Sequence, residues 1–140
     1  MKNLKLLLFA TLILATVFVA NATTPNKPKA TLEFTINAYL DMANNGNTKE
    51  YATLLADNVK FNTTRNGKLI SHGKTEELDF IRKVGYVKQN CKTEYETISA
   101  DDNFCVIKVK MKYDGFTKEN YVSLSNSNRG WQITDVTTVY

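Results

Sequence analysis

The chain holds one histidine, His72, and two cysteines, Cys91 and Cys105, so its stock of nucleophiles and metal ligands is small. A Ser-His-Asp arrangement would have to use His72, and in a strand its neighbour Ser71 projects to the opposite face. Metal centres want two or more His or Cys ligands at short spacing, and the sequence offers no such group. His72 therefore reads as a residue leading into a helix. Asp101-Asp102-Asn103 looks like part of a calcium loop, but no glycine and no distal glutamate follow in register, so it reads as a turn. Asn62-Thr63-Thr64 matches a glycosylation acceptor but sits mid-strand. A thiol nucleophile needs a base beside it, and no histidine is placed to serve. No catalytic residue, metal ligand or cofactor is expected from these residues.

The thiols lie in a stretch that alternates as a hairpin. Residues 91–98 set Cys91, Thr93, Tyr95 and Thr97 against Lys92, Glu94 and Glu96; residues 104–113 set Cys105, Ile107, Val109, Met111 and Tyr113 against Lys108, Lys110 and Lys112. Pairing Ile98 with Phe104 puts Cys105 across from Thr97 and Cys91 across from Met111. The sulfurs then sit on the order of 20 Å apart, beyond disulfide reach, so both thiols are expected to be unpaired. The basic stripe Lys108, Lys110, Lys112 reads as a solvated strand face, with Lys108 opposite Glu94. No nucleic-acid motif accompanies it, and no nucleic-acid partner is expected.

The elements that must position these residues follow from periodicity. Thr31 to Asn44 carries Leu32, Ile36, Tyr39, Leu40 and Ala43 at helical spacing, and Asn44-Asn45-Gly46 stops it. Asn47 with Glu50 predicts a capping box on a second helix that buries Tyr51, Leu54 and Leu55 and ends near Asp57. Val59, Phe61 and Thr63 alternate as a strand, Asn66-Gly67 is a tight-turn dipeptide, and Lys68 to His72 returns. Thr75 to Val84 reads as a third helix, acidic at its start and basic at its end, which suits the helix dipole. Strands are expected near 91–98, 104–113, 116–125 and 130–139. The order α-α-β-β-α-β-β-β-β predicts an α+β fold with helices on one face of a curved antiparallel sheet.

Met1 to Ala22 reads as a secretory signal peptide, with Lys2 and Lys5 ahead of an apolar run from Leu6 to Ala20 and a cleavage pattern Ala20-Asn21-Ala22. That run is too short to span a bilayer, so no membrane association is expected after cleavage. Residues 23–30 read as a flexible lead-in and 31–140 as one domain. Without Lys2 and Lys5 the charge balance falls from 18 against 14 to a net of +2, too little to argue for a polyanionic partner. The mature chain is expected in a periplasm or outside the cell.

Leu55-Ala56-Asp57-Asn58-Val59-Lys60-Phe61, the turn after it, and His72-Gly73-Lys74-Thr75-Glu76-Glu77-Leu78 resemble the nuclear transport factor 2-like superfamily, which includes SnoaL-like proteins and ketosteroid isomerases. Arg129-Gly130-Trp131-Gln132-Ile133 resembles that superfamily's last hairpin. Exported bacterial members, including a group labelled "Putative lumazine-binding", are most similar. The resemblance covers about residues 31–140 and implies a cone, three helices and a bent sheet enclosing a pocket. Carried over by position, the isomerase's hydrogen-bonding tyrosine falls on Tyr39, its general base on Thr63 and its second acid on Tyr121. Thr63 has no accessible basic form near neutral pH, so the isomerase role is unfilled.

Alternation and the resemblance together turn Tyr39, Phe61, Thr63, Phe80, Ile107, Val109, Met111, Tyr121, Thr134 and Val136 inward, either as a ligand pocket or as a filled core. This inward set contains no ionisable group, with Glu119 its borderline member. The leading expectation is an exported domain that binds a small molecule through apolar burial and the hydroxyls of Tyr39, Thr63 and Tyr121. The alternatives are a SnoaL-like enzyme that uses tyrosine hydroxyls, and a protein-interaction module or homodimer using the outer sheet face. The charges on that face weigh against the last.

Overall fold

The computed structural model describes residues 27–140. The signal-peptide reading of residues 1–22 and the first part of the lead-in lie outside them. The elements are α1 (Leu32–Asn45), α2 (Tyr51–Leu54), β1 (Leu55–Arg65), β2 (Lys68–Gly73), α3 (Lys74–Val84), β3 (Lys92–Ala100), β4 (Phe104–Lys112), β5 (Thr117–Ser127) and β6 (Gly130–Val139), in the expected order. Ala30, in the lead-in, is tied down by a bridge to Gly130, and its carbonyl accepts from Trp131 N at 3.0 Å.

Local chemistry sets the helix ends. Thr31 caps α1 by accepting from Phe34 N at 3.2 Å, and Gly46 ends it in the left-handed region at φ 71°. A Cβ at Gly46 would lie 2.8 Å from Val87 N, so glycine also permits the 85–89 segment to close on the helix end. The second helix is a single turn, and the expected capping box is not made. Asn47 instead donates to Asp41 Oδ2 at 2.6 Å and accepts from Lys49 N and the Tyr86 hydroxyl. Leu55 already pairs with Ile133 in the sheet, which ends the helix and starts β1 earlier than alternation predicted.

The six strands run in the order β2-β1-β6-β5-β4-β3. All neighbours are antiparallel except β1 and β6, which pair in parallel, a correction to the fully antiparallel expectation. These two strands are far apart in the chain, and the intervening elements supply the crossover that parallel pairing needs. Between β3 and β4 the register differs from the expected one by two residues: Thr93, not Cys91, faces Met111, and a bulge between Thr97 and Ser99 sets Cys105 opposite Ala100. A two-residue slip keeps every side chain on its face. It moves Lys108 opposite Glu96, and its carboxylate neighbour is Glu119 at 3.4 Å, not Glu94. Cys105 is buried, Cys91 is half-buried, and neither is in a disulfide.

α1 packs against β6, and α3 against β1 and β2, all on the concave face. At one end of that face Ile36, Tyr51 and Leu55 meet Cys105, Ile107, Leu124 and Ile133 in a closed core. The outer face carries the lysine stripe, whose charges are met by Glu94 and Glu119.

Candidate functional site

At the other end of the concave face, where β4, β5 and β6 run past the closed core, a cavity of about 330 Å³ lies between the sheet, α1, α3 and the 85–89 segment. Tyr39, Phe61, Thr63, Phe80, Met111 and Val136 are on its wall. Ile107 and Val109 share their strand face with Met111 but lie fully buried in the closed core. Tyr121 and Thr134 are elsewhere. On β5 the buried positions are Asn120, Val122 and Leu124, so Tyr121 points outward, where its hydroxyl approaches Glu119 at 3.5 Å and Lys108 sits 5.5 Å from its ring. Thr134 is the extra residue of a bulge, skipped between the Ser123–Asp135 and Leu124–Ile133 pairs, and its hydroxyl donates to the Ser123 carbonyl. A second hollow, beneath residues 27–31 beside Phe34 and Leu54, lies outside the cone.

The expectation that the cone holds no ionisable group is corrected. Glu119 faces out to Lys108 and Lys110, while His72, Glu77 and Lys118 line the cavity. His72 Nε2 lies 2.6 Å from Glu77 Oε2, and the Glu77 side chain is 18% exposed. The His72 ring stacks on Phe61 with centroids 5.3 Å apart. This contact was legible: a two-residue turn at Asn66-Gly67 forces Phe61 opposite His72. Glu77, Ile81 and Val84 follow helical spacing along the face of α3 that meets the cavity. Lys118 shares the inward parity of Asn120, and reading Tyr121 inward hid both.

Polar groups converge on this end. Asn120 is 3% exposed and its Oδ1 accepts from the Thr138 hydroxyl at 2.9 Å; its Nδ2 meets the Met111 sulfur at 3.9 Å. Thr63 donates to the Thr138 carbonyl at 3.3 Å. Burial first, and then the Glu77 charge, push the Tyr39 phenol well above its ordinary range, with a hydrogen bond to Asn120 opposing. The Tyr51 hydroxyl lies behind it, the rings 6.1 Å apart, and finds no partner among the described residues. Burial likewise pushes Tyr51 upward, and it pushes the Tyr113 phenol up to about 12. Tyr113 donates to Gln89 Oε1 at 2.7 Å, which pins the segment forming the outer wall. At Lys118 burial lowers the ammonium's pKa, while the Glu77 and Cys91 charges act against it.

Chemically, the wall offers neutral hydroxyl and amide hydrogen bonds, one lysine, and an imidazole–carboxylate pair able to hold a proton. Tyr39, on α1, and Thr63, on β1, both line the cavity. Tyr121, onto which the resemblance carried the second acid, points outward, and its neighbour Asn120, an amide that does not titrate, faces inward.

Solved structures with the same fold include a protein of Silicibacter pomeroyi described as NTF-2 like and of unknown function. It is 9% identical, with 77% of this chain and 91% of that one covered and a TM-score of 0.63. An NTF2-like protein of Rhodospirillum rubrum, described as of unknown function in nutrient uptake, is 20% identical over 76% of this chain and 94% of that one, TM-score 0.58. At such identities the likeness is one of fold alone. No curated protein matches the chain. Residues 27–140 match the family model described as "Putative lumazine-binding". That span takes in every element of the cone, and the chain belongs to this family, with the fold of the NTF2-like proteins.

Proposed function

We propose that the chain is an exported domain that binds a small organic molecule in the cavity at the open end of its cone. The observation that carries this reading is the wall itself: apolar side chains such as Phe61, Met111, Ile81 and Val136 surround a few converging polar groups, the usual make-up of a ligand site. A volume of about 330 Å³ suits a small ligand rather than a peptide. The family's label, which refers to a flat heterocycle, is consistent with a planar ligand lying against the stacked Phe61 and His72 rings. The apolar leader and its small-residue cleavage pattern support export to a periplasm or beyond.

Native mass spectrometry of the protein purified from its own host tests both parts. The expected result is a chain beginning at Thr23 that carries a non-covalent small molecule. An Ala43→Phe variant, which fills the cavity wall, should lose that molecule. A ligand retained by Ala43→Phe would move the site elsewhere, and a chain beginning at Met1 would end the export reading.

One observation favours an enzyme as the second reading. The His72–Glu77 pair at 2.6 Å could take a proton from a ligand bound beside it. A co-purified molecule that the protein converts over time, with His72→Gln stopping the conversion but not the binding, would establish this instead.

A further inference from the structure

We propose that Lys118 anchors an anionic group, so that the cavity takes a small organic carboxylate whose apolar body lies against Phe61 and Met111. This rests on the small-molecule reading above and narrows it. Lysine is out of pattern on the concave face of β5, where the following inward residues are Asn120, Val122 and Leu124. Lys92, Lys108, Lys110 and Lys112 lie on the outer face, and each reaches Glu94 or Glu119. Lys118 takes part in none of the ion pairs formed among the described residues. Among the described residues, the one side-chain carboxylate on the cavity wall is that of Glu77, and His72 engages it. A half-buried lysine with no carboxylate in ion-pair range gives up part of its hydration without a direct partner to offset it.

Asn120 adds a second, independent pointer. It is buried beside Lys118 on the same strand face; its Nδ2 meets the Met111 sulfur, a weak acceptor, at 3.9 Å, and the amide also hydrogen-bonds the Tyr39 phenol. An ammonium and an amide N–H two residues apart on one strand face match the two oxygens of a carboxylate. A single cation among neutral donors suits a monoanion better than a phosphate monoester, which carries close to two charges.

Calorimetric titration of the domain with 2-naphthoate and with its neutral amide, 2-naphthamide, tests the proposal. The acid should bind at least about tenfold more tightly than the amide, as a charge-assisted contact implies. Lys118→Met should abolish that preference while changing amide affinity by no more than about twofold. Lys118→Arg, which keeps the charge, should retain most of it, and it serves as the test if the Met variant fails to fold. Equal affinity for acid and amide, or an acid preference that survives in Lys118→Met, overturns the carboxylate anchor and leaves the binding reading standing. If neither probe binds at millimolar concentration, both are overturned.

Discussion

The two ends of the concave sheet face are built from the same strands and have opposite characters. Cys105, Ile107, Leu124 and Ile133 lie under α1 and α2 with Tyr51 and Leu55, and all six are fully buried. Farther along the same strands, Met111, Lys118, Asn120 and Thr138 face the cavity, and the cover there is the end of α1, α3 and the 85–89 segment. α3 itself has no fully buried residue, and Phe80 is 63% exposed. Apolar burial thus concentrates at the closed end, while polar and charged side chains concentrate at the open one. Stability and binding should therefore respond to substitutions at different ends.

The largest effect is expected from Ile107→Ala. Removing a fully buried branched side chain from the closed end should cost about 2–5 kcal/mol in urea unfolding. A loss below about 1 kcal/mol would mean that the closed end is loosely packed and that the contrast is false. Gly46→Ala strikes the cover of the open end. Its positive φ and the 2.8 Å approach of Val87 N to a built Cβ imply a loss of about 1–3 kcal/mol and a displaced 85–89 segment. Hydrogen exchange should rise first at Val87 and Gln89, ahead of Ile107 and Leu124. A uniform rise across both ends would show that they unfold as one unit.

This contrast also explains what could be read without coordinates. The element order and the Asn66-Gly67 turn were legible because they rest on local periodicity and turn chemistry. The pairing of β1 with β6 was not, since no local pattern carries a contact between strands so distant in sequence. At the closed end simple alternation worked: Ile107 and Val109 were placed inward and are buried. At the open end it failed on β5, where the resemblance and alternation turned Tyr121 inward but the buried parity is that of Asn120, Val122 and Leu124. A polar residue facing a cavity breaks the binary pattern that the reading relies on. The bulge at Thr134 had the same effect on β6, where it changed the phase between Ile133 and Val136. The chemistry-bearing residues were hidden because they depart from the core pattern.

Tyr51→Phe probes the boundary between the two ends. The Tyr51 hydroxyl is buried, lies behind Tyr39 and has no partner among the described residues. If the closed end is dry, deleting the hydroxyl should leave stability unchanged or raise it by about 1 kcal/mol, because a buried unpaired hydroxyl costs free energy. A loss of about 1 kcal/mol or more would place a bridging water there and move the wet boundary one layer deeper. Equilibrium urea unfolding of the two proteins at one pH separates these outcomes.

The smallest effect lies on the outer face, where charge rather than burial acts on the strands. Lys92 and Lys112 hydrogen-bond to Glu94 at 2.8 and 3.1 Å, and hold its carboxyl at about 2, below the ordinary 4.5. The folded protein therefore binds fewer protons here than the unfolded chain between those values. The contribution is fully present above 4.5 and is lost as pH falls toward 2. All three side chains are largely exposed, so the effect should be slight and should shrink further in added salt. The urea midpoint should fall slightly less between about pH 5 and about pH 2.5 in Glu94→Gln than in the native protein. An identical fall in both would mean that the ion pairs add nothing to stability. The strand pair β3–β4 would then be held by its backbone ladder and by the residues it buries on the concave side.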